Sequence, residues 1–184
     1  MRHAAILERE GAVLVIVDIQ EKLAGTMEHR RQVVENAGKL VQVWQVLDLP
    51  IIATEQYPKG MGRLVAPLQE LLDDCEPIEK LAFSCIAHEG FATQLAAIGT
   101  KTLVLAGMEA HICILQTALH ALARGYAVHV PIDGICSRHS IDWQTATRKM
   151  QQNGVTITTT ETIVFELLEK AGTAEFKQVL PLVK

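Results

Sequence analysis

Residues 12–17 read Ala-Val-Leu-Val-Ile-Val and are followed directly by Asp18. The run is apolar at both alternating positions, whereas a strand with one solvated face alternates apolar and polar residues. It therefore predicts a central strand of a parallel sheet that is covered by helices on both faces. Asp18 ends this strand and lies at its carboxyl edge.

Strands and helices alternate along the rest of the chain. Further strands are predicted at residues 51–54, 77–79, 103–106, 127–132 and 155–158, and helices at residues 30–48, 67–73, 87–98, 111–123, 141–152 and 161–170. Gly99 is a natural helix C-cap, and Thr158 with Glu161 fits a capping box. The pattern predicts one α/β domain over residues 1–184, with a three-layer, doubly wound, mainly parallel sheet of six strands.

Composition narrows the class of protein. The chain has 184 residues, 49% of them hydrophobic and 21% charged, with a formal net charge of −4. This balance argues against a nucleic-acid partner, which favours a basic surface. The apolar runs are too short for a membrane span, and the acidic N-terminal residues do not fit a signal peptide. We therefore expect a cytoplasmic protein with no membrane partner.

Three chemically active side chains follow predicted strands. Asp18 follows the first strand, Lys80 the weak strand at 77–79, and Cys113 begins the helix after the strand at 103–106. Because the carboxyl ends of parallel strands share one edge, these side chains are expected to converge. A thiol at a helix N-terminus is favoured as thiolate, the more so beside a lysine, and an aspartate can accept its proton. Together they form a candidate nucleophilic site.

Each of these residues also has a plainer interpretation. Asp18 fits a turn residue, Lys80 a solvated surface charge, and Cys113 a small core residue. The four cysteines (Cys75, Cys85, Cys113 and Cys136) include no C-x-x-C pair, which argues against a structural metal site. No G-x-G-x-x-G motif follows a strand, so a dinucleotide cofactor has little support.

Several blocks in one collinear order resemble the isochorismatase-like cysteine hydrolase family, which includes nicotinamidases and N-carbamoylsarcosine amidohydrolase. The resemblance covers about residues 11–165. The segment at residues 54–62, Thr-Glu-Gln-Tyr-Pro-Lys-Gly-Met-Gly, is most similar to the isochorismatase domain-containing subgroup. The other matching blocks are residues 15–20, Lys80 with Phe83 and Ser84, residues 107–113 with Thr117 and Ala118, Asp133 with residues 136–138, Met150 with Gly154, and residues 157–161.

The resemblance implies a triad and a mechanism. Cys113 is the implied nucleophile, Asp18 the general base, and Lys80 an electrostatic partner to both. A cis peptide is implied at Met108–Glu109, with the backbone amides of Glu109 and Cys113 as the oxyanion hole. The implied reaction is hydrolysis of a small-molecule amide or related C–N bond through a thioester.

The sequence differs from nicotinamidases and phenazine-type isochorismatases at positions that bear on the expected reaction. The loop from Glu55 to Pro67 has no histidine, so the catalytic metal of nicotinamidases is not expected, and no cofactor or metal ligand is assigned. Cys113 argues against simple vinyl-ether hydrolysis of the phenazine-type isochorismatases, which lack the cysteine. The resemblance further implies a homo-oligomer.

Secondary residues and other functional classes stay open at this point. Gln20, Tyr57, Phe83 and His111 are candidate substrate contacts, each with local packing, hydrogen bonding or capping as the plainer interpretation. One alternative function is a catalytically relict protein that acts through oligomerisation or partner binding. Another is a thiol redox sensor, which requires Cys85 or Cys136 as a resolving cysteine near Cys113.

Overall fold

A computed structural model describes residues 2–183; residues 1 and 184, the ends of the predicted domain, lie outside the described residues. The strands are β1 Ala12–Val17, β2 Ile51–Gln56, β3 Ile78–Lys80, β4 Thr102–Met108, β5 Ala127–Pro131, β6 Ile135–Cys136 and β7 Thr156–Thr158. The α-helices are α1 Glu21–Gly25, α2 Arg30–Val46, α3 Pro58–Met61, α4 Ala66–Leu71, α5 Glu89–Ile98, α6 Leu115–Ala123, α7 Ser140–Gln152, α8 Thr160–Leu168 and α9 Ala174–Val183. A 3-10 turn spans Cys85–Ala87, and a π-helical turn spans Ala110–Ile114.

The strands form one sheet in the order β3-β2-β1-β4-β5-β7, and β6 pairs with β4. All strand pairs are parallel. The chain winds outward from β1 to β3 and then returns to β4 on the other side of β1. This confirms the doubly wound α/β fold and places its topological switch point between β1 and β4, where such folds bind ligands.

The prediction of six strands was wrong, because the sheet has seven within residues 2–183. The additional strand is β6, whose two residues pair with Gly107 and Met108. Two residues carry no alternation that a sequence pattern can detect. Their pairing depends on the turn at Gly134, which brings the chain back beside β4 and whose carbonyl accepts from the Gly107 amide.

Two hydrophobic cores cover the two faces of the sheet. Leu14 and Ile16 of β1 point into a core with α2, α8 and α9. Val13, Val15 and Val17 point into the other core, with α5, α6 and α7. All five side chains have 0% exposure, which explains why the run is apolar at every position. No helix among residues 2–183 has both the length and the apolar composition to cross a membrane.

Local differences from the prediction occur at element ends. Gly99 takes the left-handed conformation at the end of α5, as expected of a C-cap. The capping residue of α8 is Thr159, which accepts from the amide of Thr162, so the prediction of Thr158 was wrong by one residue. β2 continues to Gln56, and α3 forms within the segment that was predicted as a loop.

Gly107 allows β1 and β4 to approach closely at the switch point. Its φ is +145°, and a Cβ atom there would lie 2.0 Å from the carbonyl oxygen of Val17. A side chain at this position is therefore excluded by backbone, which cannot move aside as a flexible side chain can. This approach brings the residues that follow β1 and β4 to one place.

Candidate active site

Asp18 is the centre of the site. It follows β1 directly, has a φ of +53° and is completely buried. Its Oδ1 accepts a hydrogen bond of 2.7 Å from the Thr54 hydroxyl, and its Oδ2 accepts one of 2.7 Å from the Lys80 ammonium. One donor on each oxygen fixes the orientation of the carboxylate.

Lys80, the last residue of β3, is a buried cation with four acceptors around it. Besides Asp18, its Nζ lies 2.7 Å from Gln56 Oε1 and 3.3 and 3.4 Å from the carbonyl oxygens of Ala82 and Phe83. Burial lowers the pKa of Lys80, but the negative charge of Asp18 and its hydrogen bond to the ammonium raise it, and the net direction is upward. Lys80 is thus held as a charged ammonium.

Cys113 lies in the π-helical turn after β4, with its Sγ 3.7 Å from Lys80 Nζ. The residue is 5% exposed. Burial raises the pKa of the thiol, the negative charge of Asp18 raises it further, and Lys80 opposes both effects without cancelling them. The sequence-based argument that a helix start and a lysine favour the thiolate therefore does not describe the resting site, in which the neutral thiol is favoured.

The segment from Met108 to Ile114 has an unusual backbone. The Met108–Glu109 peptide is cis, as the resemblance implies. The Glu109 carbonyl accepts hydrogen bonds from the backbone amides of Ile112 and Ile114. Among the described residues, the amide of Cys113, which lies between them in sequence, does not bond this carbonyl. The Glu109 carboxylate accepts from the amide and Nε of Arg138, at 3.0 and 3.1 Å.

The four candidate substrate contacts lie in different surroundings. Gln20 is completely buried; its side-chain amide donates to the carbonyls of Gln56 and Gly62 and accepts from the Gln56 amide. It joins the ends of β1 and β2. Tyr57 and Phe83 are half-exposed, at 50% and 52%. His111 bonds Ser137 Oγ through Nδ1 at 2.9 Å.

Sequence reasoning missed Thr54 and Gln56, which hold Asp18 and Lys80 in place. Both lie on β2, at the same edge of the sheet as Asp18. Their position near the carboxyl end of a predicted strand was the one feature that could have marked them as site residues. Their polar side chains alone do not distinguish them from ordinary strand residues.

The structure shows where Cys85 and Cys136 lie relative to the site, which their spacing in the sequence could not show. Cys85 borders the site, with its Sγ 3.9 Å from the Thr54 hydroxyl, and burial together with Asp18 raises its pKa to about 11. Cys136 belongs to the core on the opposite face of the sheet from Cys113. Within residues 2–183, no three His, Cys, Asp or Glu side chains are grouped so as to hold a metal ion.

Comparisons with known proteins identify the family and the fold. The isochorismatase domain model matches residues 12–162. Isochorismatase domain-containing protein 2 of Danio rerio is 36% identical over 178 residues, which cover 96% of this chain and 89% of that protein. A Caenorhabditis elegans structure described as MAR1 ribonuclease has a TM-score of 0.91 and 32% identity, covering 96% of this chain and 91% of that one.

Two more distant structures share the fold alone. The Escherichia coli YcaC gene product, described as an octameric hydrolase of unknown specificity, has a TM-score of 0.89 and 24% identity, with 99% of this chain and 92% of that one covered. A Staphylococcus aureus nicotinamidase has a TM-score of 0.75 and 15% identity, with 81% of this chain and 99% of that one covered. On the domain match and the Danio rerio relative, the chain belongs to the isochorismatase family.

Proposed function

We propose that this protein is a cysteine hydrolase that cleaves an amide or related C–N bond of a small molecule through a thioester intermediate. The observation that carries the proposal is the buried Asp18–Lys80 ion pair, 2.7 Å long, with the Cys113 thiol 3.7 Å from the ammonium. Burying two charges is expensive, and apolar residues of similar size often stabilise a fold at least as well. An ion pair beside a thiol therefore favours a chemical role.

The first half of the reaction forms the thioester. Asp18 accepts the proton of the Cys113 thiol as the sulfur attacks the substrate carbonyl. The raised pKa of Cys113 fits a thiol that loses its proton only during attack. We assign the amides of Glu109 and Cys113 to the oxyanion of the tetrahedral intermediate. Asp18 then gives its proton to the leaving nitrogen, the C–N bond breaks, and an acyl-enzyme with a free amine results.

The second half of the reaction restores the enzyme. Water loses a proton to Asp18 as its oxygen attacks the thioester carbonyl. The C–S bond breaks, Asp18 returns the proton to the Cys113 sulfur, and the carboxylic acid product leaves. Lys80 stays charged throughout and stabilises the negative charge that moves between Asp18 and Cys113.

The alternatives have less support. A redox sensor needs a low-pKa thiol, whereas burial and Asp18 raise the pKa of Cys113. An RNA substrate, suggested by the description of the C. elegans structure, needs cations free to meet phosphates. Arg63 and Arg138 are instead paired with Glu55 and Glu109, and the net charge is −4.

The test is a screen of primary amides, ureas and carbamoyl compounds for amine or ammonia release, with an RNA substrate assayed in parallel. The best compound is then compared between wild type, Cys113→Ala and Cys75→Ser, where the last variant controls for a thiol remote from Asp18. We expect Cys113→Ala to abolish turnover and intact-protein mass spectrometry to detect an acyl adduct on the wild type. Unchanged turnover in Cys113→Ala would refute the mechanism, and a screen with neither turnover nor adduct would favour the relict protein.

We also propose that the protein is a homo-oligomer. The support is the octameric state of the E. coli hydrolase that shares this fold and half-exposed apolar side chains, Tyr57 and Phe83, on the segments that flank the site. Light scattering coupled to size-exclusion chromatography tests the state directly. A monomer at micromolar concentration would contradict it.

A further inference from the structure

A cavity of about 320 Å³ lies apart from the three residues of the proposed triad. It is outside the carboxyl ends of β5 and β6, between the N-terminal ends of α2 and α7. Its lining includes Gln32, Asp133, Ile135, Cys136, Ser137 and Trp143. Ligands of open α/β sheets bind in such crevices at the strand ends, and the volume falls in the range of about 300–1,000 Å³ of small-molecule pockets.

The walls of this cavity are mainly apolar. Ile135 and Cys136 are almost fully buried, at 3% and 2% exposure, and Trp143 contributes an aromatic surface. Protein interiors are close-packed, so a space of this size lined by apolar groups is not ordinary core. The arrangement suits a flat apolar group placed between the strand end and α7.

The polar side chains that line the cavity are two hydroxyls, two amides, one imidazole and one carboxylate. Ser137 Oγ lies 2.9 Å from Nδ1 of His111, whose Nε2 lies 3.9 Å from the Asp142 carboxylate. Ser137 is thus oriented by a side chain outside the cavity and can bond a ligand with its remaining capacity. The lining carboxylate, Asp133, already accepts from the amide and hydroxyl of Thr160 through Oδ1.

We infer that this cavity is a second small-molecule site, which takes an uncharged ligand with a flat apolar body and one hydrogen-bonding group directed at Ser137. An anionic ligand would meet the Asp133 carboxylate. A cationic ligand would lose its hydration in a mainly apolar space for one carboxylate that already holds two hydrogen bonds, so an uncharged ligand is favoured. None of Asp18, Lys80 and Cys113 lines this cavity, so binding there can be measured separately from the proposed hydrolysis.

The experiment uses Trp143 fluorescence in a Trp44→Phe background. The chain has two tryptophans, and Trp44 is buried with no hydrogen-bond partner for its Nε1, so phenylalanine removes no bond there. The probes are benzyl alcohol, benzene, benzoate and benzylammonium. We expect saturable binding of benzyl alcohol, with both ions weaker by about tenfold or more, which corresponds to about 1.4 kcal/mol.

Two exposed glutamines supply the blocking variant and its matched control. Gln32→Tyr puts a ring at the cavity mouth and is expected to weaken benzyl alcohol binding by about tenfold or more. Gln151→Tyr, an equally exposed helix position that does not line the cavity, is expected to bind as the parent does. Ser137→Ala is expected to remove the preference for benzyl alcohol over benzene.

Several results would overturn the inference. Absence of saturable binding, equal binding by the Gln32→Tyr and parent proteins, or stronger binding of either ion contradicts the site or its ligand class. Loss of an oligomer in Gln32→Tyr without probe binding in the parent would assign the cavity to a subunit interface instead. Cys113→Ala is expected to bind benzyl alcohol as the parent does. Probe binding in the cavity therefore tests the second site without testing the hydrolase proposal.

Discussion

The Asp18 carboxylate has a different donor on each oxygen, and the two donors do different things. Lys80 supplies a charge, whereas the Thr54 hydroxyl supplies only direction, at 2.7 Å from Oδ1. Thr54 is therefore a positioning residue that acts through Asp18. A base whose carboxylate rotates away from the thiol loses efficiency without losing its charge.

We predict that Thr54→Val lowers kcat for the best substrate by about tenfold or more while KM changes little. A hydrogen bond to a charged group contributes about 1.5–3 kcal/mol, and valine keeps the shape of the side chain. Steady-state kinetics measure the effect, and Thr54→Ser, which restores the hydroxyl, is expected to recover most of it. Thr100→Val is the control because the buried Thr100 hydroxyl has no partner. Equal kinetics for Thr54→Val and wild type would exclude the positioning role.

The ionisation of Cys113 provides a second prediction at this scale. Asp18 raises the pKa of Cys113 through its negative charge, so Asp18→Asn removes that effect and lowers the pKa of the thiol. We expect iodoacetamide to alkylate Cys113 faster in Asp18→Asn than in wild type at pH 8, although hydrolysis is lost. Faster alkylation of Cys113 together with lost hydrolysis would show that Asp18 acts as a base in catalysis and does not merely stabilise the thiolate.

Peptide mass spectrometry after timed alkylation measures this rate for each cysteine. Cys136 is the internal control, since burial and Glu109, not Asp18, raise its pKa to about 12. Its alkylation rate is expected to be the same in both proteins. Slower alkylation of Cys113 in Asp18→Asn than in wild type would contradict the claim that Asp18 raises the pKa of this thiol.

At the scale of elements, the approach of β1 and β4 places the site. Gly107→Ala puts a Cβ atom 2.0 Å from the Val17 carbonyl oxygen at a φ of +145°. We predict a loss of about 4 kcal/mol or more in the free energy of unfolding, or failure to fold, because only backbone movement relieves the clash. Urea denaturation measures the loss.

The matched control is Gly25→Ala, at a helix position with open space around its Cβ. We expect it to fold normally and to be as stable as wild type or slightly more stable, since alanine favours the helix. If Gly107→Ala were as stable as Gly25→Ala, the close approach of the two strands would not be a constraint on the fold.

The elements that could be predicted are those long enough to show a period. The strand at residues 12–17, the helix C-cap at Gly99 and the helix from Ser140 to Gln152 all have local signals, so sequence reasoning found them. β6 and the π-helical turn were missed, because two paired residues and one irregular turn have no period. Their conformations depend on neighbours that are distant in sequence.

At the scale of the whole molecule, the two cores on opposite faces of the sheet contain different groups of residues. Cys113 packs in one core, whereas Val179 of α9 packs in the other with 0% exposure. We predict that Val179→Ala lowers the free energy of unfolding by about 1–3 kcal/mol and leaves the native alkylation rate of Cys113 unchanged. Urea denaturation and peptide mass spectrometry measure the two quantities.

Gln178→Ala is the control for this helix, since Gln178 is exposed one residue away. Its effect on stability is expected to stay within about 0.5 kcal/mol. A large change in Cys113 alkylation in Val179→Ala, under conditions where the protein is folded, would show instead that the two cores are coupled through the sheet.

The α/β class, the central strand and the identity of the residues at the strand ends could be read from the sequence alone. These follow from local periodicity and from residues that terminate strands, and both are properties of short segments. The packing of distant segments was needed to show that Thr54 and Gln56 join Asp18 and Lys80. It was also needed to show that Cys85 shares a core with Cys113 while Cys136 lies in the other core, and that the resting thiol is neutral. Distances between segments and the removal of water from charges arise only when the strands pair, so no local pattern contains them.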